Sequence, residues 1–186
     1  MNAVQILERC RQAPQDRESI MQRIQRYRDG AMSISRYGVS AGGHGTGGED
    51  KLAEIASQID EAERARAQRD REYVAEVAAA CTLLDRLPDQ ESRVLHLYYV
   101  QGDTLNLISE RMHNSYGYVR KLKSDGLALA QTIGLVDVAR ALPPWYNEQE
   151  LRRLDEVAQT GGLSASQRVL VDAERAALRE AMRSAS

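Results

Sequence analysis

Residues 87–126 carry the clearest structural signal in the sequence: they read LPDQESRVLHLYYVQG (87–102) and then DTLNLISERMHNSYGYVRKLKSDG (103–126). Apolar residues recur here every three or four positions, a spacing that predicts short helices. Gly102 is placed to end the first helix, and His113-Asn114 forms a tight turn after the second. Ser115 is a suitable N-cap for a third helix. Two short helices joined by such a turn are typical of a helix-turn-helix.

The predicted helices of this stretch each have an apolar face directed at the others. Asp103 or Thr104 can cap the second helix, because a side-chain oxygen there can accept from the first free backbone N–H groups. The residues expected to face inward are Val94, Leu95, Tyr98, Leu105, Ile108, Met112, Val119 and Leu122.

The outward face of the third predicted helix is basic. From Arg111 to Lys123 there are four basic residues and no acidic residue. Arg can bind guanine edges through two hydrogen bonds, and Lys and Tyr can contact phosphates or bases. The helix N-terminus at Ser115 can also meet a phosphate. The candidate DNA-binding residues are Arg111, Ser115, Tyr116, Gly117, Tyr118, Arg120, Lys121, Lys123 and Ser124. The alternative interpretation is a solvent-exposed basic helix end in a structural bundle.

Residues 1–87 predict a long antiparallel helical hairpin, a coiled coil. Its first helix runs from Asn2 to about Tyr37, with Pro14 near the start of the main helical part, and its second runs from about Asp50 to Leu87. The first helix has a heptad-like seam, and the second repeats every seven residues from Leu52. The seam residues of the first helix are Ile20, Ile24, Tyr27, Ala31 and Ile34. A second chain could supply the partner helix instead.

A glycine-rich loop at residues 38–48 is expected to join these helices, since six of its eleven residues are Gly. Gly43 and Gly48 have the spacing of the two P-loop glycines, but Glu49 and Asp50 occupy the places of Lys and Ser/Thr. Two carboxylates would repel a phosphate, so the loop is predicted to be a connector.

Residues 134–186 predict a C-terminal extension of accessory helices. A short helix reaches Leu142, a second runs from about Asn147 to Gln159, and a third begins at Ser164, which is spaced as a capping box with Gln167. The apolar face of the third helix consists of Leu170, Ala173 and Ala177, with Val171, Leu178 and Met182 beside it. Trp145 is expected to pin these helices to the body, or else to anchor a partner.

The composition excludes several classes of protein. The chain has 186 residues, no Phe, one Trp and 28% charged residues, which favours an all-α fold. The longest uncharged apolar run, residues 77–84, is too short to cross a membrane, and the start of the chain has no signal-peptide pattern. Cys10 and Cys81 are too far apart in sequence for a disulfide framework or a metal motif.

No pattern indicates an enzyme, a metal or a cofactor. His44, His96 and His113 do not pair at helical spacing with other ligands, and no Ser lies in a nucleophile elbow. The net charge of -2 is unevenly distributed. It is +3 over 1–37, -5 over 38–100, +1 over 101–133 and -1 over 134–186. A basic recognition helix is therefore compatible with a total charge near zero, although nonspecific DNA binding should be weak and sensitive to salt.

The stretch 87–112 is similar to the fourth region of bacterial sigma factors. Over about residues 19–130, the helical hairpin, the glycine-rich loop and the following Glu49-Asp50-Lys51 resemble small phage proteins related to the ArpU and RinA late-gene activators. The expected segments are a hairpin at 1–87, a helix-turn-helix at 88–133 and an extension at 134–186, and the resemblance covers the first two but not the extension. The resemblance to the sigma region implies promoter recognition through Tyr116, Gly117, Arg120 and Lys121.

Some residues depart from the sigma pattern. His113 stands where a glycine usually makes the turn, although Asn114 can adopt a left-handed conformation. Ser109 replaces the usual Ala, Gly117 removes one side chain that could read a base, and Gly126 would weaken its helix by about 1 kcal/mol. The absence of Phe also argues against a whole sigma factor, whose promoter-melting region is rich in aromatic residues.

Three functions are compatible with these features. The first is a phage or prophage transcriptional regulator in the cytoplasm of a bacterial host, which binds double-stranded DNA as a homo-oligomer, with a dimer favoured. The second is an adaptor that binds RNA polymerase or another host protein through the coiled coil. The third is a DNA-packaging oligomer similar to a small terminase subunit.

Overall fold

The computed structural model describes residues 1–38, 47–160 and 162–184, and these residues form helices without any strand. The helices are α1 (Ala3–Gly38), α2 (Gly47–Leu84), α3 (Asp89–Leu95), a single π-helical turn (His96–Val100), α4 (Leu105–Met112), α5 (Tyr116–Gln131), α6 (Leu135–Ala141), α7 (Pro144–Gln159) and α8 (Ala165–Ser184). The predicted all-α class is confirmed. Residues 39–46, most of the glycine-rich loop with His44, lie outside the described residues, as does Gly161.

The first helix begins earlier than its proline suggests. Asn2 and Gln5 form a reciprocal cap, in which each side-chain oxygen accepts from the other residue's backbone N–H at 2.9 and 2.7 Å. This cap satisfies two N–H groups that have no partner within the helix. Helix α1 therefore starts at Ala3 and contains Pro14 in its interior.

Contacts divide the chain into two compact units. The hairpin unit is Gln12–Glu72, and the main unit is Met1–Arg11 together with Tyr73–Ser186. In this grouping, the first eleven residues pack in the same unit as the helix-turn-helix.

The hairpin unit consists of two antiparallel helices tied by ion pairs. Asp16 contacts Arg69 at 3.3 Å, and Arg28 contacts Glu63 at 2.8 Å. The α2 partner falls in number as the α1 residue rises, which defines the antiparallel direction. Of the five predicted seam residues, Ile24 is buried and the other four are half-buried.

The main unit has a continuous apolar core. The N-terminal segment contributes Ile6, Leu7 and Cys10, which pack with buried residues from α2, α3, the π-turn, α6 and α7. The buried residues from these elements are Ala75, Ala79, Ala80, Leu83, Leu84, Leu95, Tyr99, Val138 and Tyr146, together with Leu142, which directly follows α6. Cys10 and Cys81 are both free thiols. Burial and the nearby Asp85 carboxylate raise the pKa of Cys81.

A polar network crosses this core. Tyr146 donates its hydroxyl proton to Glu76 at 2.7 Å and accepts from Arg9 Nη1 at 2.6 Å. Arg9 also lies 3.8 Å from Glu76 and 3.7 Å from Glu150. Arg153 donates to Glu150 at 2.6 Å. Burial, together with the Glu76 carboxylate, raises the pKa of Tyr146.

The C-terminal extension is partly as predicted. Ser164 and Gln167 form the capping box, with reciprocal hydrogen bonds of 2.9 and 3.3 Å. Trp145 packs against the main core, which supports the pinning role. The predicted apolar face of α8 is wrong in part, because Leu170 and Ala173 are exposed. The packed face keeps the predicted Ala177 and Leu178, adds Ala181, and contacts α6 and α7.

Candidate nucleic-acid interface

The helix-turn-helix has a small core of its own. Val94, Ile108, Val119 and Leu122 are buried together, and Leu97, Tyr98, Leu105 and Met112 cover them. All except Leu97 were expected to face inward. Helix α5 packs on both α3 and α4. Because Leu95, next to Val94, belongs to the main core, α3 joins the two apolar clusters.

The turn between α4 and α5 is made by His113. Its backbone is left-handed, with φ 52° and ψ 37°, and the next N–H, of Asn114, donates to Ser109 O at 3.0 Å. This bond across five residues is the helix-ending arrangement that usually places glycine at the left-handed position. The expectation that Asn114 would be the left-handed residue is therefore wrong. A non-glycine residue there costs about 1 kcal/mol.

The two helix starts follow the predicted caps. Thr104 accepts from the N–H of Leu107, and Ser115 accepts from the N–H of Tyr118, each at 3.3 Å. Asp103, the other candidate cap, instead pairs with Arg111. Gly102 is left-handed at φ 79°, in agreement with its predicted role at the end of the first helix.

Gly126 allows a close approach between α5 and α3. A Cβ at this position would lie 3.0 Å from Leu95 Cδ1 and 3.1 Å from Glu91 Cβ. The lack of a side chain at Gly126 lowers the helix propensity of α5, but it allows the tight packing that fixes α5 against α3.

The outward face of α5 brings together the central candidate residues. Gly117, Arg120, Lys121 and Ser124 are exposed and lie at helical spacing on the side opposite the buried Val119 and Leu122. Within the part of the chain that the structure describes, no ion pair is formed by Arg120 or Lys121. Both cations are available to an external anion.

Two tyrosines flank this face. Tyr116 and Tyr118 are both partly exposed, at 49% and 40%. The hydroxyl of Tyr118 donates to Gln90 Oε1 at 2.7 Å, which ties the start of α5 to α3. Tyr118 thus has a structural contact, while its ring remains accessible.

The other two basic candidates are held by neighbours. Arg111 Nη1 pairs with the Asp103 carboxylate and donates to Gln101 Oε1 at 3.3 Å. Lys123 Nζ lies 3.7 Å from the centroid of the Tyr98 ring and 5.5 Å from that of Tyr99. These interactions leave further N–H donors on both cations.

Tyr98 and Tyr99 form an edge-to-face pair with ring centroids 4.9 Å apart. Burial raises the pKa of Tyr99, and the neighbouring Tyr98 raises it further, so the Tyr99 hydroxyl stays protonated. The sequence predicted Tyr98 only as an inward-facing residue and did not indicate the aromatic pair beneath Lys123. It did not indicate a role for Arg11 either, whose guanidinium lies 3.8 Å from the Tyr98 centroid.

Helices α4 and α5, with the turn at His113 between them, form a helix-turn-helix. In agreement, residues 83–128 match the family described as Sigma-70, region 4. The match covers 46 of the 186 residues and includes α3, the π-turn, α4 and most of α5. A comparison with curated proteins and one with solved structures gave no significant match.

Two further properties concern ligands and membranes. Among the described residues, no three His, Cys, Asp or Glu side chains are grouped so that they could hold a metal ion. No described helix combines the length and the hydrophobicity that crossing a bilayer requires.

Proposed function

We propose that this protein is a sequence-specific DNA-binding regulator of transcription, encoded by a phage or prophage and acting on late genes in the bacterial cytoplasm. Helix α5, which starts after Ser115, would lie in the major groove of promoter DNA. The observation that carries the proposal is the exposed Arg120 and Lys121 on a helix whose opposite face is fixed in a sigma-region-4-like core.

Each candidate residue has a role that its position supports. Arg120 is suited to a guanine edge, and Lys121 and Ser124 to a base or phosphate. Gly117 lets the DNA backbone approach closely, and Tyr116 and Tyr118 can contact sugar or phosphate from either side. The N-terminal N–H groups at Ser115 can also meet a phosphate. Arg111 and Lys123 would contact the DNA backbone with the donors that their internal partners leave free.

Binding to genomic fragments that flank its own gene tests the proposal. Fluorescence anisotropy at moderate salt should show tighter binding to one such fragment than to random DNA. Arg120→Ala should cost about 1–3 kcal/mol on that fragment and relax its sequence preference. Arg168→Ala, at an exposed arginine of α8, is the matched control and should leave binding unchanged. Equal binding of the wild type to all fragments would refute the proposal.

Homo-oligomerisation, with a dimer favoured, is part of the proposal. The support is the small number of cations on α5, since two copies would double the DNA contacts. Light scattering gives the state directly. A ring of eight or more subunits would favour the small-terminase alternative, and a stable complex with RNA polymerase or another host protein, without DNA binding, would favour the adaptor.

A further inference from the structure

Arg11, at the end of the N-terminal segment of the main unit, reaches into the helix-turn-helix. Its Nη1 donates to the backbone oxygen of Tyr98 and, at 3.4 Å, to that of Asp103. Its guanidinium Cζ lies 3.8 Å from the centroid of the Tyr98 ring. One side chain thus contacts both the π-turn and the loop before α4, 87 and 92 positions along the chain.

The backbone contacts of Arg11 fall at a helix end that needs partners. The last carbonyl oxygens of a helix receive no hydrogen bond from an N–H group of the same helix, and a cation near them is favourable. In the π-turn, Asp103 N–H donates to Leu97 O at 3.0 Å, and Arg11 donates to the next carbonyl, that of Tyr98. Arg11 therefore acts as a cap for the π-turn that is supplied from a distant part of the sequence.

The ring of Tyr98 carries a second cation. Lys123 Nζ lies 3.7 Å from the centroid that Arg11 approaches at 3.8 Å. Both cations are therefore within cation–π distance of the same ring. Both ring faces are electronegative and attract a cation. Lys123 of α5 is thus held by a ring that Arg11 also contacts.

The second backbone contact leads to the other flanking cation. Asp103, whose backbone oxygen accepts from Arg11, pairs through its carboxylate with Arg111. The Asp103 side chain is only 11% exposed, so its position depends on the loop that Arg11 contacts. Tyr98 and Asp103 are therefore the two residues that connect Arg11 to Lys123 and Arg111.

We propose that Arg11 is a positioning residue for DNA recognition. It fixes Lys123 through Tyr98 and Arg111 through Asp103, without contacting DNA itself. This inference rests on the proposed function, in which Lys123 and Arg111 contact the DNA backbone. Through Arg11, the segment Met1–Arg11 contributes to DNA recognition by the helix-turn-helix.

The test compares Arg11→Gln, which removes the cation, with Arg11→Lys, which retains a cation over Tyr98. Anisotropy with the preferred fragment should show about 2- to 5-fold weaker binding for Arg11→Gln and partial recovery for Arg11→Lys. The slope of affinity against salt should not change, because no phosphate contact is removed. The double variant Arg11→Gln/Lys123→Gln should bind at most twofold more weakly than Lys123→Gln alone.

A spectroscopic readout follows the same contact without DNA. The methylene protons next to Lys123 Nζ lie over an aromatic ring, so their NMR shifts should move when Arg11→Gln frees that ring. Tyr98→Leu, which deletes the ring, serves as a second variant in case Arg11→Gln does not fold. It should show the same loss of DNA affinity, whereas Tyr98→Phe should retain binding. Circular dichroism melting confirms that each variant is folded at the assay temperature.

Several outcomes overturn the inference. A salt slope reduced by about one unit in Arg11→Gln would make Arg11 itself a phosphate contact. Unchanged affinity, unchanged Lys123 shifts or multiplicative losses in the double variant would show that Arg11 does not act through Lys123. If the wild type binds no fragment, the proposed function fails too, which distinguishes that failure from one confined to the Arg11 variants.

Discussion

The hairpin unit and the main unit are both helical, but different interactions hold them together. In the hairpin unit, the buried apolar residues among the described side chains are Ala13, Ile24 and Ala62. Its helices are joined by ion pairs, of which Arg28–Glu63 is about half exposed on both sides. Among its described residues, the main unit contains three apolar clusters, two of them linked through α3, and a buried polar network around Arg9. Exposed ion pairs contribute little, whereas buried charges depend strongly on their partners. The candidate DNA-binding residues all belong to the unit with the larger core.

The largest difference should appear when one arginine is removed from each unit. Arg9→Met leaves Glu76 and Glu150, 1% and 5% exposed, without their shared cation, and should lower the free energy of unfolding by about 3 kcal/mol. Arg28→Met removes an ion pair whose side chains are about half exposed, and should cost less than about 1 kcal/mol. Urea unfolding followed by Trp145 fluorescence and by circular dichroism measures both. Equal losses would contradict the contrast between the units.

Hydrogen exchange sharpens the same comparison along the backbone. Few buried apolar side chains support the helices of Gln12–Glu72, so their amides should open more easily than those of α3 and α5. We expect exchange about 30-fold faster in the hairpin unit, which corresponds to about 2 kcal/mol. Mass spectrometry of peptides from both units gives the ratio. Protection of the hairpin equal to that of α5 would indicate a partner that covers it, such as a second copy.

Two helical glycines provide a matched pair. Gly126→Ala brings a Cβ within 3.0 Å of Leu95, so overpacking should outweigh the gain in helix propensity and destabilise the main unit by about 1 kcal/mol. Gly30→Ala meets no atom within 4 Å and should stabilise the hairpin by about 0.5–1 kcal/mol. Thermal unfolding of the two variants checks the opposite signs. Stabilisation by both would mean that the α3–α5 contact yields easily.

Alkaline pH should weaken the main unit selectively. Burial raises the pKa of Tyr146 and of Tyr99, so the unfolded chain loses these protons first as the pH rises above about 10. Their contribution to stability is complete below pH 10 and is then lost, by about 1 kcal/mol at pH 11. Urea unfolding at pH 8 to 11 measures the slope. Tyr146→Phe should be less stable at pH 8, because Glu76 loses a donor, but its stability should fall less steeply with pH.

The sequence alone determined the local elements whose signals are short-range. Spacing of apolar residues gave the inward positions Val94, Ile108, Val119 and Leu122, and side-chain oxygens gave the caps at Thr104, Ser115 and Ser164. Helix periodicity and capping depend on residues three or four positions apart, so one sequence shows them. The exposure of Arg120 and Lys121 on α5 follows from the same periodicity.

Only the tertiary structure decided what those elements do to one another. It placed Arg11 on Tyr98, turned Lys123 over the same ring, and engaged Asp103 with Arg111 instead of the cap. It also gave Gly126 a packing role and left Leu170 and Ala173 of α8 exposed. These contacts join residues up to 87 positions apart, and periodicity along a helix carries no information on which distant side chain will cover it.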